Sequence, residues 1–142
     1  MTAFLDTNVI AYQYDDSVPD KQGRAREVFL EQAPDAVIST HVLIEPHAVL
    51  TKKLGHTRAT AERVLGALDV DVVPTDATLV RRAASTATNH QLSIFDALIV
   101  EAASLAGCQV LDSEDLADGA TVRGVRIVNP FLDLGDAATD RA

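Results

Sequence analysis

Ala3-Phe4-Leu5-Asp6-Thr7-Asn8 is the stretch of sequence that decides the fold. Its three apolar residues predict a first strand, and the polar triplet that follows stops this strand before a helix that we expect to begin near Asn8. The same order of a short apolar run, polar residues and a helical pattern returns along the chain. Strands that alternate with helices predict a mostly parallel sheet covered on both faces, which is the α/β class.

The remaining elements are predicted from the same periodicity and from turn residues. Further strands are expected at residues 36–38, 70–73, 109–111 and 125–128, and helices at 21–32, 40–54, 57–68, 77–89 and 95–106. The segment 95–106 is nearly all apolar, which is typical of a helix buried between other layers. The chain of 142 residues has the size of one domain, which we expect to span 1–133, with a flexible tail at 134–142.

Composition indicates a soluble cytoplasmic protein with no membrane segment. The apolar fraction is 47%, and no apolar run approaches the roughly 18 to 20 residues that cross a bilayer. The first residues include no basic region of the kind that opens a signal peptide. Cys108 is the only cysteine, so it has no partner for an intrachain disulfide, and a reducing compartment is favoured.

The formal net charge of -9 argues against non-specific binding to nucleic acid, which depends on lysine and arginine. An RNA partner would need a local basic patch. The candidates are Lys21 with Arg24 and Arg26, Lys52 with Lys53 and Arg58, and Arg81 with Arg82. Such runs are more often the solvated face of a helix. The sequence shows no aromatic platform on which bases could stack.

Four carboxylates fall near the edge of the sheet at which the parallel strands end. Asp6 follows the first strand and Asp115 follows the strand at 109–111, while Glu45 and Asp96 lie early in helices. Ligands of such sheets bind beyond this edge. A like-charge pair about 4 Å apart costs roughly 4 kcal/mol at an effective dielectric of 20, so a divalent cation is expected. Oxygen ligands without thiolates favour Mg²⁺ or Mn²⁺ over Zn²⁺.

Each of these acids also has an ordinary structural interpretation. Ser93 and Asp96 have the spacing of a helix capping box, and Asp6 and Asn8 are common residues in turns and caps. Glu45 could be an exposed helix residue, and Asp115 could belong to an acidic turn. What favours a site is the local context, because Asp6 follows an apolar strand and Asp96 is carried by a very apolar helix.

The combination of these segments resembles the PIN-domain nucleases over nearly the whole chain. The segments are Asp6-Thr7-Asn8, Ile38-Ser39-Thr40 leading to Glu45, Leu92-Ser93-Ile94-Phe95-Asp96-Ala97-Leu98-Ile99-Val100, and Ser113-Glu114-Asp115-Leu116. The short length and the ending Val125-Arg126-Ile127-Val128-Asn129-Pro130-Phe131 look most like VapC toxins of type II toxin-antitoxin pairs. The resemblance implies a three-layer α/β/α fold.

The resemblance also implies the roles of the site residues. Asp6, Glu45, Asp96 and Asp115 would be the catalytic acids, and Asp6, Asp96 and Asp115 would hold Mg²⁺, or Mn²⁺ as a substitute. Asn8 and Ser113 would support them. The implied activity is an endoribonuclease in which a metal-activated water hydrolyses the phosphodiester, with Glu45 as general base and 5′-phosphate and 3′-hydroxyl ends. The implied partners are an RNA, such as a tRNA or rRNA loop, an antitoxin protein and a second copy of the chain.

Two positions depart from the pattern of the family. Asp112 stands where an apolar or aromatic residue is common, and we do not assign it as a ligand. Pro46 follows Glu45 inside a predicted helix, where proline removes a hydrogen bond. We therefore expect that this helix starts later than Thr40, which puts the reach of Glu45 in doubt. His41 and His47 are nearby, but lone histidines are more often surface or core residues than ligands.

Two other functions are consistent with parts of the pattern. A non-catalytic metal-binding module with the same fold would keep the acids without cleaving RNA. A Mg²⁺-dependent phosphatase or phosphoacceptor domain also places an aspartate after the first strand. A dehalogenase-like phosphatase, however, would need a second aspartate two residues later, where this chain has Asn8.

Overall fold

Six short strands form one sheet in the computed structural model, which describes residues 2–134. They are β1 (Ala3–Leu5), β2 (Val37–Ser39), β3 (Asp71–Val73), β4 (Val110–Asp112), β5 (Thr121–Val122) and β6 (Val125–Val128). Their spatial order is β3-β2-β1-β4-β6-β5. Only β5 runs antiparallel to its neighbour. The predicted α/β class with a mostly parallel sheet is confirmed.

Helices cover both faces of this sheet. They are α1 (Thr7–Ala11), α2 (Pro19–Gln32), α3 (Thr40–Ala48), α4 (Arg58–Ala67), α5 (Ala77–His90) and α6 (Ile94–Leu105). Helix α6 packs against β2, β4 and β6, and α5 packs on α6. Helix α1 packs against α2 and α3, and α3 also contacts β2 and β3. The three-layer arrangement that the resemblance implied is therefore present.

The core explains why α6 is so apolar. Its residues from Ala97 to Ala103 are all buried, and Phe4, Leu111 and Ile127 of the sheet are at most 2% exposed. Fully burying one large apolar side chain stabilises the fold by about 1.5 to 3 kcal/mol. This packing fixes the position of the first turn of α6 relative to the ends of the central strands.

The register of β1 and β4 places the two chain segments that leave them side by side. Leu5 is aligned with Asp112. The backbone N–H of Asp6 donates to the carbonyl of Asp112 at 3.0 Å, and that of Ser113 donates to Val128 at 3.0 Å. Asp6 and Ser113 consequently follow neighbouring strands at the same edge of the sheet.

Pro46 does not shift the start of α3, so our expectation of a later start was wrong. The helix begins at Thr40, because the Ser39 side chain caps it by accepting from the backbone N–H of Val42 at 3.2 Å. Pro46 lies buried inside the helix. The chain then widens into a π-helical turn at Val49–Lys53, a local form that occurs often near functional sites.

The β5–β6 hairpin was missed from the sequence because its strand β5 has only two residues. Arg123 and Gly124 connect the strands with φ angles of 52° and 79°. Left-handed residues at both positions of a two-residue turn suit the twist of a hairpin. The Arg123 Nε also donates to the buried carboxylate of Glu101 at 2.9 Å, and Thr86 of α5 donates to the same oxygen.

Replacing Arg123 with alanine is expected to destabilise the protein by about 1 to 3 kcal/mol, because Glu101 would keep a buried charge without its cation. The expected loss of stability is smaller than for a fully buried ion pair because half of the Arg123 side chain is exposed. Urea unfolding measures the loss. The double variant Arg123→Ala/Glu101→Gln is the control, and it should recover part of the stability; an unchanged midpoint in the single variant contradicts the prediction.

The other boundaries differ from prediction by a few residues. Helix α2 begins at Pro19, and the strands β2 and β4 end one residue later than expected. Leu134 packs against the edge of the core, whereas the rest of the predicted tail, 135–142, lies outside the described residues. No helix within residues 2–134 combines the length and apolar character that crossing a membrane would need.

Candidate metal centre

Asp6 lies at the centre of the site and is 2% exposed. It is the N-cap of α1, and its Oδ1 accepts from the backbone N–H of Thr7 at 2.7 Å. Its Oδ2 accepts from the hydroxyl of Ser113 at 2.6 Å. Burial raises the pKa of Asp6 from 3.8 to about 6; the two hydrogen bonds oppose this rise, and the charges of Asp115 and Glu45 add to it.

Ser113 connects Asp6 with Asp115. Its hydroxyl donates to Asp6 and accepts from the backbone N–H of Asp115 at 3.1 Å. Asp115 is exposed, and one of its oxygens accepts from Asn8 Nδ2 at 3.3 Å. The other amide atom of the same side chain, Asn8 Oδ1, is buried and has no hydrogen-bond partner among residues 2–134. A buried acceptor without a partner is unusual and marks a place that a donor or cation can fill.

Glu45 reaches this group in spite of Pro46. The hydroxyl of Thr7, the residue after Asp6, donates to Glu45 Oε2 at 3.1 Å across the contact between α1 and α3. The proline leaves Glu45 in position because α3 stays helical on both sides of it. Glu45 is thus in electrostatic contact with Asp6, and its reach to a bound ion stays a prediction.

Asp96 lies in the first turn of α6, where the Ser93 side chain accepts from its backbone N–H at 3.1 Å. Burial raises the pKa of Asp96, the charges of Asp115 and Glu45 add to this rise, and a hydrogen bond with the Ser93 side chain opposes it. The helix cap and the acidic cluster are therefore both present, and they are not exclusive alternatives.

The chemistry of these side chains fits a hard divalent cation. The charges of Glu45 and Asp115 are close enough to raise the pKa of both Asp6 and Asp96, and the carboxylate donor atoms are all oxygens. Among residues 2–134, however, no three His, Cys, Asp or Glu side chains are arranged to hold an ion as they stand. Binding a cation therefore requires side-chain rotation, for which the exposed Asp115 has room.

Asp112 is separate from this group. It is 4% exposed and faces α2, where Gln32 Nε2 donates to its carboxylate at 3.4 Å. Burial raises the pKa of Asp112 to about 6; Arg24 opposes the rise, and Glu31 adds to it. Asp112 is therefore not a fifth carboxylate of the acidic group. Asp112 and Ser113 are successive residues, whose side chains point to opposite faces of the sheet, and it is Ser113 that reaches Asp6.

The structure adds two residues to this site, His41, which the sequence analysis did not assign to it, and Phe95, which received no role there. His41 Nε2 contacts the carboxylate of Glu45, and the Phe95 ring stacks on the imidazole with centroids 5.5 Å apart and planes 16° apart. His41 and Glu45 are four residues apart on α3, so helical spacing could have predicted their contact. The approach of Phe95 depends on the packing of α6 and could not have been predicted from spacing.

A cleft lies beside the acids and brings further polar and charged side chains next to them. Its lining includes Asn8, Tyr12, Glu45, Lys53, Glu114 and Asp115. Lys21 pairs with Glu114 at 3.1 Å and lies over the Tyr12 ring, so this predicted basic residue is already engaged. Lys53 projects from the π-helical turn and has no ion pair with any residue in the described range 2–134.

Comparison with known families now identifies the class. The family model described as PIN domain matches residues 3–117. This covers most of the chain, and the protein belongs to the PIN domain family. No curated protein sequence matches the chain.

Solved structures agree with this fold. VapC20 of Mycobacterium tuberculosis, described as a sarcin-ricin loop cleaving toxin, is similar at a TM-score of 0.66 and 23% identity over 78% of this chain and 87% of that one. A toxin-antitoxin complex from Klebsiella pneumoniae is similar at a TM-score of 0.68 and 19% identity, over 91% of this chain and 98% of that one. DNA-bound VapBC from Salmonella typhimurium is similar at a TM-score of 0.67 and 19% identity, over 92% of this chain and 98% of that one. At such identities the likeness concerns the fold.

Proposed function

We propose that this protein is a metal-dependent endoribonuclease and the toxin of a type II toxin-antitoxin pair. The observation that carries the proposal is the convergence of Asp6, Glu45, Asp96 and Asp115, from four separate elements, on one edge of the sheet. Raised carboxyl pKa values such as those of Asp6 and Asp96, beside a cleft, are typical of functional sites. A cluster of like charges also lowers stability, so a structural role alone does not explain it.

Asp6, Asp96 and Asp115 would hold a divalent ion, with Mg²⁺ as the first choice and Mn²⁺ as a substitute. The ion, when bound, supplies a Lewis acid at the scissile phosphate. Ser113 fixes the position of the Asp6 carboxylate through its hydroxyl, and Asn8 holds one oxygen of Asp115. These two residues orient the ligands without needing to bind the ion.

Glu45 is suited to accept the proton of the attacking water. Thr7 donates to one of its oxygens and His41 Nε2 contacts the other, so the carboxylate is held in place, and its charge reaches Asp6. The water oxygen attacks phosphorus, the bond from phosphorus to the 3′ oxygen breaks, and this oxygen takes up a proton. The products would carry a 5′-phosphate and a 3′-hydroxyl.

Partners are proposed from charge and from the described neighbours. The net charge of -9 would draw a basic antitoxin segment to the acidic cleft. The Klebsiella neighbour is described as a toxin-antitoxin complex, and VapC20 is described as cleaving the sarcin-ricin loop. A tRNA or rRNA loop is accordingly the proposed substrate class, with a homodimer in the cytoplasm as the proposed state.

Lys53 provides a matched test of RNA binding. Lys53→Met is expected to weaken binding of a single-stranded RNA about five- to tenfold at low salt and to reduce the salt dependence, because one phosphate contact is lost. Lys52→Met is the control, since Lys52 lines a different surface with Arg58. Fluorescence anisotropy at several salt concentrations measures both. Equal weakening in the two variants would show that only net charge matters.

Cleavage of total RNA tests the whole proposal. The purified protein, freed of any partner, should cut RNA with Mg²⁺ or Mn²⁺ and stop when EDTA is added. Mapping of the cut ends should find 5′-phosphates. Cleavage that survives chelation would overturn metal dependence, and cyclic-phosphate ends would overturn the mechanism while leaving the activity. Metal binding without any cleavage would favour the non-catalytic module.

A further inference from the structure

Phe95 is an exposed aromatic residue at the start of a helix whose middle is buried. Its side chain is 58% exposed, whereas α6 is buried from Ala97 to Ala103. Its ring is not loose, because it stacks on His41, which in turn contacts Glu45. Phe95 is also the residue before Asp96, a proposed metal ligand. An exposed ring whose position is fixed by stacking on His41 therefore lies directly beside the proposed reaction centre.

We propose that the stacked pair of His41 and Phe95 is a platform for a nucleobase of single-stranded RNA next to the scissile phosphate. This inference rests on the proposed nuclease function and names a substrate subsite for it. A base would stack on the outer face of the Phe95 ring, so that the imidazole of His41, the Phe95 ring and the base form one continuous stack. Stacking of this kind accepts any base, because every base has a π face.

Two features favour a base over a second copy of this chain at Phe95. The ring is bordered by Asp96 and by the contact between His41 and Glu45, and charged residues are depleted in the cores of protein interfaces. A flat ring that is covered on one face and open on the other suits a flat ligand. An RNA strand whose phosphate lies at the acids would also bring a neighbouring base to this place.

The test measures binding separately from cleavage. Phe95→Leu keeps an apolar side chain but removes the ring, and Leu105→Ala is the matched control at the far end of α6, where Leu105 is 59% exposed. Both changes are made in an Asp6→Asn background so that a labelled RNA octamer stays intact. Fluorescence anisotropy is expected to show about tenfold weaker binding for Phe95→Leu and no change for Leu105→Ala.

Oligonucleotides that lack a single base locate the contact. At one position of the RNA, removing the base should weaken binding about tenfold for the protein with Phe95. The same removal should leave binding to the Phe95→Leu protein unchanged. At the other positions, the base removal should affect the two proteins equally. A result with equal effects at every position overturns the platform.

Tryptophan at position 95 gives a second readout that does not depend on Phe95→Leu folding well. The chain has no tryptophan, so Phe95→Trp would carry the only one. RNA binding should quench its fluorescence, and the octamer that lacks the critical base should not. Absence of quenching by an octamer that binds overturns the proposal.

The remaining outcomes separate this inference from the proposed function. If wild-type protein cleaves RNA and Phe95→Leu binds the octamer as tightly, the platform is wrong and the nuclease stands. If the wild type cleaves nothing but the position-specific loss appears, the platform stands as an RNA-binding site. A change in sedimentation without a change in RNA affinity assigns Phe95 to self-association and overturns the platform.

Discussion

Asp6→Asn is expected to reduce RNA cleavage at least about 10³-fold and, in the same protein, to raise the stability of the metal-free form at pH 7. The loss of activity follows because Asp6 is the most buried of the proposed ligands and is in electrostatic contact with two of the other acids. Charge stabilisation by a bound ion amounts to several kcal/mol, and about 4 kcal/mol corresponds to a factor of 10³. Single-turnover cleavage assays measure the loss.

The gain in stability has the sign that a raised carboxyl pKa dictates. With a pKa of about 6 in the folded state against 3.8 for the ordinary group, the folded state binds more protons than the unfolded state in that range. The free energy of unfolding therefore falls as pH rises from about 4 to about 6. The full difference corresponds to roughly 3 kcal/mol, and burial of an asparagine amide offsets part of it, so the expected gain is about 1 to 3 kcal/mol.

Asp112→Asn is the matched control for both effects. Asp112 is also buried, its pKa is also raised to about 6, and it follows Leu111 on the neighbouring strand. It faces α2 rather than the acidic cluster. This variant should gain stability at pH 7 but keep its cleavage rate. Urea unfolding between pH 4 and pH 8 measures the gain, and loss of cleavage in both variants would contradict the assignment of Asp6.

Glu45→Gln is the second substitution with a large expected effect. Loss of a general base typically lowers a rate by 10² to 10⁴, and we expect a decrease in kcat of that size with little change in RNA affinity. Glutamine keeps the acceptor for the Thr7 hydroxyl but cannot take a proton from water. Comparison of kcat and KM for the variant and the wild type at the same pH measures the effect.

Metal-induced stabilisation distinguishes this role from that of a ligand. Mg²⁺ should raise the melting temperature of Glu45→Gln as it does for the wild type, because the proposed ligands Asp6, Asp96 and Asp115 remain. It should not raise that of Asp6→Asn. A Glu45→Gln protein that cleaves at the normal rate excludes Glu45 as the base, and one that loses the Mg²⁺ effect makes Glu45 a ligand instead.

The fold was predictable because its signals are local. Short apolar runs closed by polar residues or glycine, alternating with helical patterns, are enough to predict a parallel sheet with helices on both faces. The two-residue strand β5 was missed because so short a run has no periodicity to detect. Pro46 was misjudged because the Ser39 cap and the packing of α3 outweigh the hydrogen bond that proline removes.

The candidate site was predictable as a set of residue types but not as an arrangement. Asp6, Asp96 and Asp115 could be placed near one edge because parallel strands end there. The electrostatic contact of Asp6 with Glu45 depends on how α1 and α3 pack, which no spacing in the sequence reveals. The orphaned Asn8 oxygen is likewise visible only when the surrounding atoms are in place.

By itself, then, the sequence determined the layers of this protein, the direction of its strands and the acids available at their ends. Tertiary structure alone decided which of those acids share a site. Asp6 and Asp112 make this plain, because both are buried aspartates whose pKa is raised to about 6, at the ends of paired strands. One joins the cluster and the other faces α2, since burial, hydrogen bonding and charge depend on atoms brought together from distant parts of the chain.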